Sequence, residues 1–389
     1  MSAFARARVD RAPSAWTGSF YYLVFFFGSG SYFPFLYVHL SDLGLSGEQG
    51  GLLATFPPIM TMLLSPVVAG FADRNRLRVR VSQVGLACLA VTMFLFRFPR
   101  TFGTVVPLML VFAMLLTPFT SVADGLVARM AHRNGLNYGG MRLWGSFGFA
   151  VSAVVCGAVW QTLGFKTMFL ITGLLFLAPI PVVALLEEGP VIPAHERRPA
   201  SHLLRDRGLL LVLLAAFLSG IANSLSGTFS GIYARSIGGG NMLVGAMFAV
   251  SALAECPTML LSSRLSDRIS EANAVVCGYA VMAAAYAGYA LVHTPGLLVL
   301  LAGIKGLGYG VWLTVTIRSV TRRTTEEWAS TAQALLTICL MGLAPLVAGP
   351  IGGLIHDVVS PGAVFVLAAG CLALAGIVML SAGRRSRLA

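Results

Sequence analysis

A chain of 389 residues that is 57% hydrophobic and only 11% charged does not describe a soluble domain, in which roughly a quarter of residues carry charge. At about 20 residues per bilayer crossing, twelve crossings take about 240 residues and leave only short connections, which excludes a receptor with a sizeable ectodomain. The net charge of +12 has no clustered basic reader motif behind it, so no nucleic-acid partner is expected.

In chain order, the apolar runs predict crossings at 16–40, 47–71, 81–98, 104–127, 138–160, 166–187, 208–234, 242–263, 272–292, 296–317, 330–355 and 361–383. Both termini then lie on one side, called here the terminus side, and its loops and tails hold 21 Lys and Arg. The far side holds four: Arg97, Arg100, Lys166 and Arg235. By the positive-inside rule the termini are cytoplasmic and the basic loops meet anionic lipid; the expected location is the inner (plasma) membrane. Met1 to Pro13 lacks a short apolar run with a small-residue cleavage site, so the first crossing is expected to stay. Cys88, Cys156, Cys256, Cys277, Cys339 and Cys371 stand singly in apolar runs and read as small hydrophobes, with no metal or cofactor implied.

Several crossings are interrupted: Pro57-Pro58, Pro107 and Pro118, Gly303 to Gly310, and Gly349-Pro350-Ile351-Gly352-Gly353. Such residues either let helices pack closely or break a helix where it lines a cavity. The one long polar interior stretch falls at the midpoint. It divides a first six-helix half (1–187) from a second (208–389) by a linker at 188–207. Asp73-Arg74 follows the second crossing and Asp267-Arg268 follows the eighth, 194 residues later, so two repeated halves are the economical reading.

Asp124, Arg142, Glu255 and Lys305 cannot be assigned to loops. A charge at the bilayer centre costs on the order of 2.5–3.5 kcal/mol, so such groups face a bundle interior or a water-filled cavity and pair with one another. Asp124 precedes and Arg142 follows Arg133 by nine residues each, which sets them at equal depth in an antiparallel hairpin. Glu255 and Lys305 share mid-crossing depth in the eighth and tenth crossings. A carboxylate there has two states, ionised against a cation or protonated once the cation withdraws, as proton coupling requires. Intramembrane hydrolysis would need paired aspartates, Ser with His, or a zinc site, and nucleotide hydrolysis a GxxxxGK[ST] run; none is present, so no enzyme is expected.

Gly30-Ser31-Tyr32-Phe33-Pro34-Phe35, the stretch from Asp124 to Gly148, Ala254-Glu255-Cys256-Pro257 and Lys305 together resemble the major facilitator superfamily, in the branch of the lactose and phenylpropionate permeases. The resemblance spans the chain. It implies an all-α membrane fold of twelve helices in two pseudo-symmetric halves. It also implies substrate binding by Asp124 and Arg142, proton coupling through Glu255, and a loop motif at Asp73, Arg74, Asp267 and Arg268 that latches the halves. Departures from lactose permease are Gly308 and Val311 where it has its coupling His and Glu, and Phe149 where it has its stacking tryptophan. The helix seven acids are absent, leaving Asn223, Ser224 and Ser226 as its polar candidates.

The reading is a monomeric secondary transporter working by alternating access, a proton symporter of a small polar or anionic organic solute such as a sugar, nucleoside or aromatic acid. Tyr32, Phe33, Trp144, Phe149, Tyr309 and Trp312 are candidates to stack on a ring, and Asn223 to hydrogen-bond the solute. Glu255, Lys305 and Asp124 are the candidates for coupling. The alternative is a proton-coupled exporter of an amphipathic compound, drug or lipid.

Overall fold

The computed structural model describes residues 15–186, 206–324 and 326–385, apart from the side chains of 263–268, 326, 327, 329, 330 and 383–385. Among the described residues twelve helical spans are long and apolar enough to cross a membrane. They are Ala15–Asp42, Gly47–Arg74, Arg78–Leu95, Phe102–Arg133, Tyr138–Leu163, Phe165–Val183, Arg207–Ser236, Asn241–Ser262, Glu271–Leu291, Pro295–Arg322, Thr331–Val358 and Ala363–Ala382. Each run predicted from sequence overlaps one of these, with described ends that differ by up to six residues, as at Arg133. Most of the linker stretch lies outside the described residues.

Among the described residues four spans are interrupted where the sequence weakens the backbone ladder, including the sixth span at Ala178, just before Pro179. The first breaks between Tyr32 and Leu36, around Pro34, and the second between Leu53 and Phe56, just before Pro57-Pro58. The eleventh passes through a six-residue π-helix, Ile338–Leu343, before resuming at Ala344. The fourth span runs unbroken from Phe102 to Arg133 despite Pro107 and Pro118. The tenth is also continuous, and its glycines serve packing: a Cβ on Gly306 would overlap the Ser251 carbonyl, and one on Gly308 the Gly278 carbonyl.

The first six spans meet the last six at the far side. Gly51 and Gly349 pack backbone to backbone, as do Gly245 and Ala153, with no room for a Cβ on either Gly51 or Gly245. Polar ties join the same end: Asn241 Nδ2 donates to the Trp160 carbonyl at 3.3 Å, and Met242 N–H to Gln161 Oε1 at 3.1 Å. Arg235 also pairs with Asp42 at 3.6 Å. The Gly349-Pro350 run is a packing device at this seam, whereas the tenth-span glycines pack within the second half.

Candidate functional site

A cavity of about 520 Å³ lies between the halves. Three of the interruptions build its wall: Phe33 at the first-span break, Ala54 and Pro57-Pro58 at the second, and Leu340 and Met341 in the π-helix. Backbone that leaves helical geometry at membrane depth is tolerated where it borders a cavity.

Nine of the residues in the wall are aromatic. Phe33 sits edge-on between Phe149 and Phe248, at ring-centroid distances of 6.2 and 6.0 Å, so spans one, five and eight meet in a collar drawn from both halves. Tyr309 packs at 5.1 Å on Trp312, whose Nε1–H donates to the Tyr279 hydroxyl at 3.0 Å and leaves the indole fixed. Tyr32 lines the cavity with its ring held edge-on to Phe112. The seventh span supplies a polar strip of Asn223, Ser224, Ser226 and Thr228. Asn223 is oriented by its own bond to the Ser219 carbonyl at 2.9 Å and accepts from the Tyr286 hydroxyl at 3.5 Å.

Glu255 and Lys305 both line this cavity, one from each of two tightly packed spans. The Ser251 hydroxyl, one helical turn earlier, donates to Glu255 Oε1 at 3.4 Å. Each charge lies in the other's field, yet among the described residues no ion pair joins them. Both side chains thus border one cavity without pairing with each other.

Asp124 and Arg142 do pair, at 3.4 Å, as their equal spacing from Arg133 anticipates. They are not in the cavity wall. Arg142 is one turn into the fifth span, toward the terminus side, and the side chains of Arg142 and Asp124 are 50% and 41% exposed. Tyr22 donates to Asp124 Oδ1, and the Tyr138 hydroxyl donates to Oδ2 at 3.3 Å. The guanidinium lies 5.4 Å from the ring centroids of both Tyr22 and Phe26, and Phe26 itself lines the cavity. A half-exposed pair of this kind contributes at most about 1 kcal/mol, so it is cheap to open.

Trp144 is a correction to the sequence reading. Two residues beyond Arg142 it points to the opposite helix face, where it is 39% exposed and packs on Trp16 and Phe147. Asp73 is held by Arg78 of its own half at 2.5 Å, with Arg74 exposed beside it. The side chains of Asp267 and Arg268 lie outside the described residues. Tyr22, Phe26, Tyr138 and Ser251 were not singled out from sequence. Tyr138 and Ser251 stand one turn before Arg142 and Glu255, a usable signal. Tyr22, 102 residues from Asp124, gives none.

A bundle of twelve membrane spans converging on a cavity with polar, aromatic and charged walls is that of a multi-pass membrane transporter. Residues 15–367 match the MFS_1 like family, and the chain belongs to it. It is 27% identical over 373 residues to a maltose permease of Geobacillus stearothermophilus, covering 95% of this chain and 94% of that one. It is 28% identical over 275 residues to a probable 3-phenylpropionic acid transporter of Escherichia coli, covering 66% and 70%. The crystal structure of nucleoside transporter NupG shares the fold, with a TM-score of 0.79 at 15% identity over 95% of this chain and 98% of that chain.

Proposed function

We propose that the protein is a proton-coupled symporter of a small polar or anionic organic solute, of sugar, nucleoside or aromatic-acid type. It acts as a monomer in the inner membrane with cytoplasmic termini, its two six-span halves rocking to give alternating access. The observation that carries this reading is that Glu255 and Lys305, without pairing with each other, border one cavity with aromatic residues in its wall. Lys305 offers three donors to a carboxylate or hydroxyls, while Glu255 takes up and releases the coupling proton as the field of Lys305 is shared with the solute. Phe33, Phe149 and Tyr309 stack on a ring, and Asn223 reads hydroxyls. Asp124 and Arg142 receive the solute at the terminus-side mouth, Arg142 by its fork of donors. Asp73 and Arg74, with Asp267 and Arg268, close that mouth in the opposite state.

The test uses the full chain in proteoliposomes with radiolabelled maltose, uridine and 3-phenylpropionate. Glu255→Gln should retain solute exchange and lose accumulation driven by a pH gradient; undiminished accumulation would remove Glu255 from coupling. The aromatic wall favours a second reading, export of an amphipathic compound by proton antiport. Dye extrusion coupled to proton entry, with no uptake of the three solutes, would select it.

A further inference from the structure

The second span opens with a short helix, Gly47–Leu53, whose N-terminus is already closed by its own sequence. Ser46 accepts from Gln49 N–H at 3.1 Å, and the Gln49 side chain accepts from Ser46 N–H at 3.2 Å. Gly47 and Glu48 still present two orphan N–H groups, and a residue of the other half takes both. Asp357, near the end of the eleventh span, accepts from Gly47 N at 2.8 Å with one carboxylate oxygen and from Glu48 N at 2.9 Å with the other. His356 Nδ1 lies 2.9 Å from Asp357 Oδ1, and its ring stacks on Phe229 of the seventh span. The carboxylate is thus aimed before it meets its partner.

Both elements joined in this way reach the cavity. The capped helix leads directly into Ala54, Pro57 and Pro58, and the helix bearing Asp357 carries Gly349 and Pro345, all of them lining residues. Asp357 stands eight residues beyond Gly349, about 12 Å along the helix at 1.5 Å per residue. A solute that displaces either wall pulls directly on the contact.

We propose that Asp357 is a positioning residue for transport, a latch that holds the far side closed by capping a helix of the opposite half and lets go when the cavity is reorganised. Asp357 is exposed, so its two charge-assisted hydrogen bonds bias the closed state by adding a modest increment to the backbone packing of Gly353 on Gly47 at the same seam. Because they span the halves and the helix has its own cap, they separate as a unit and leave that helix formed. Water replaces the carboxylate on Gly47 and Glu48 in the open state.

This rests on the alternating-access reading, and the test separates the two. A cysteine replaces Thr228, a cavity-lining residue of the seventh span, in the otherwise unchanged full chain. Its alkylation by a membrane-impermeant maleimide is measured from each face, in right-side-out and inverted vesicles, against the chain without the added cysteine. With Asp357 intact, slow labelling from the far side and faster labelling from the terminus side are expected. Asp357→Ala should raise the far-side rate at least threefold and lower the other, Asp357→Asn should fall between, and Asp357→Glu should restore part of the closure. Labelling from both faces with no effect of Asp357→Ala or Asp357→Asn overturns the latch alone. A lowered Tm with the side preference kept also overturns it and makes Asp357 a plain structural cap. Labelling from one face only, in every variant, sinks alternating access and the latch together.

Discussion

Arg142 holds its guanidinium 5.4 Å from the ring centroid of Phe26, and Phe26 is in turn a wall of the cavity that contains Glu255 and Lys305. One aromatic ring therefore touches both the engaged Asp124–Arg142 pair and the cavity that Glu255 and Lys305 line. Phe26→Ala removes a cation–π contact worth about 0.5–1 kcal/mol and a part of the cavity wall. A severalfold rise in the KM of uptake is expected, with a smaller change in maximal rate; an unchanged KM would show that the ring is only packing.

Tyr22 and Tyr138 both hold Asp124, and the hydroxyl of the buried Tyr22 makes the closer bond, Tyr138 standing at 3.3 Å. Tyr22→Phe should therefore cost more than Tyr138→Phe. A hydrogen bond to a charged group is worth about 1.5–3 kcal/mol when buried, and partial exposure here reduces that to roughly tenfold in uptake. On an Asp124→Asn background the Tyr22→Phe effect should shrink, since residues in one network couple. Additive losses would separate Tyr22 from the acid.

Arg142→Lys keeps the charge but loses the planar fork and much of the stacking over two rings. Uptake is expected to fall at least tenfold in the same assay. Full uptake by Arg142→Lys, or by Arg142→Ala, would remove Arg142 from solute handling.

Trp144 and Phe149 are five residues apart on one helix and face different surroundings. Trp144→Leu should leave solute KM unchanged, while Phe149→Leu should raise it, because only Phe149 lines the cavity and meets Phe33. The reverse pattern in a matched uptake assay would refute the placement of the binding face.

Gly50 and Gly51 make an adjacent test of the far-side seam. A Cβ at Gly50 meets nothing within 4 Å, whereas one at Gly51 overlaps the Gly349 carbonyl. Gly50→Ala should leave the Tm of the purified protein nearly unchanged, and Gly51→Ala should lower it by several degrees. Equal effects would mean that the halves do not meet there.

Much of this protein could be read from the chain. The twelve spans follow from apolar runs, and the Asp124 to Arg142 pairing follows from equal distances to one hairpin turn. Asn223, Phe149, Tyr309, Trp312, Glu255 and Lys305, all named from the sequence, line one cavity. The expectation for Trp144 failed because an aromatic residue near a charged neighbour says nothing about which helix face it occupies. The significance of Pro57-Pro58, Pro107 and Pro118 was equally undecided by sequence. The first pair borders the cavity beside a break in its span, and the other two lie within an unbroken helix.

The sequence by itself determined the number, length and approximate ends of the crossings, because hydrocarbon penalises every unpaired backbone or charged group segment by segment, a local cost. Only the tertiary structure decided which side of each span looks inward, and that Asp357 closes on Gly47 across 310 residues. Such contacts depend on how twelve helices with apolar surfaces on many sides settle against one another. Lipid and protein interior are nearly equally apolar, so hydropathy supplies little signal for that choice.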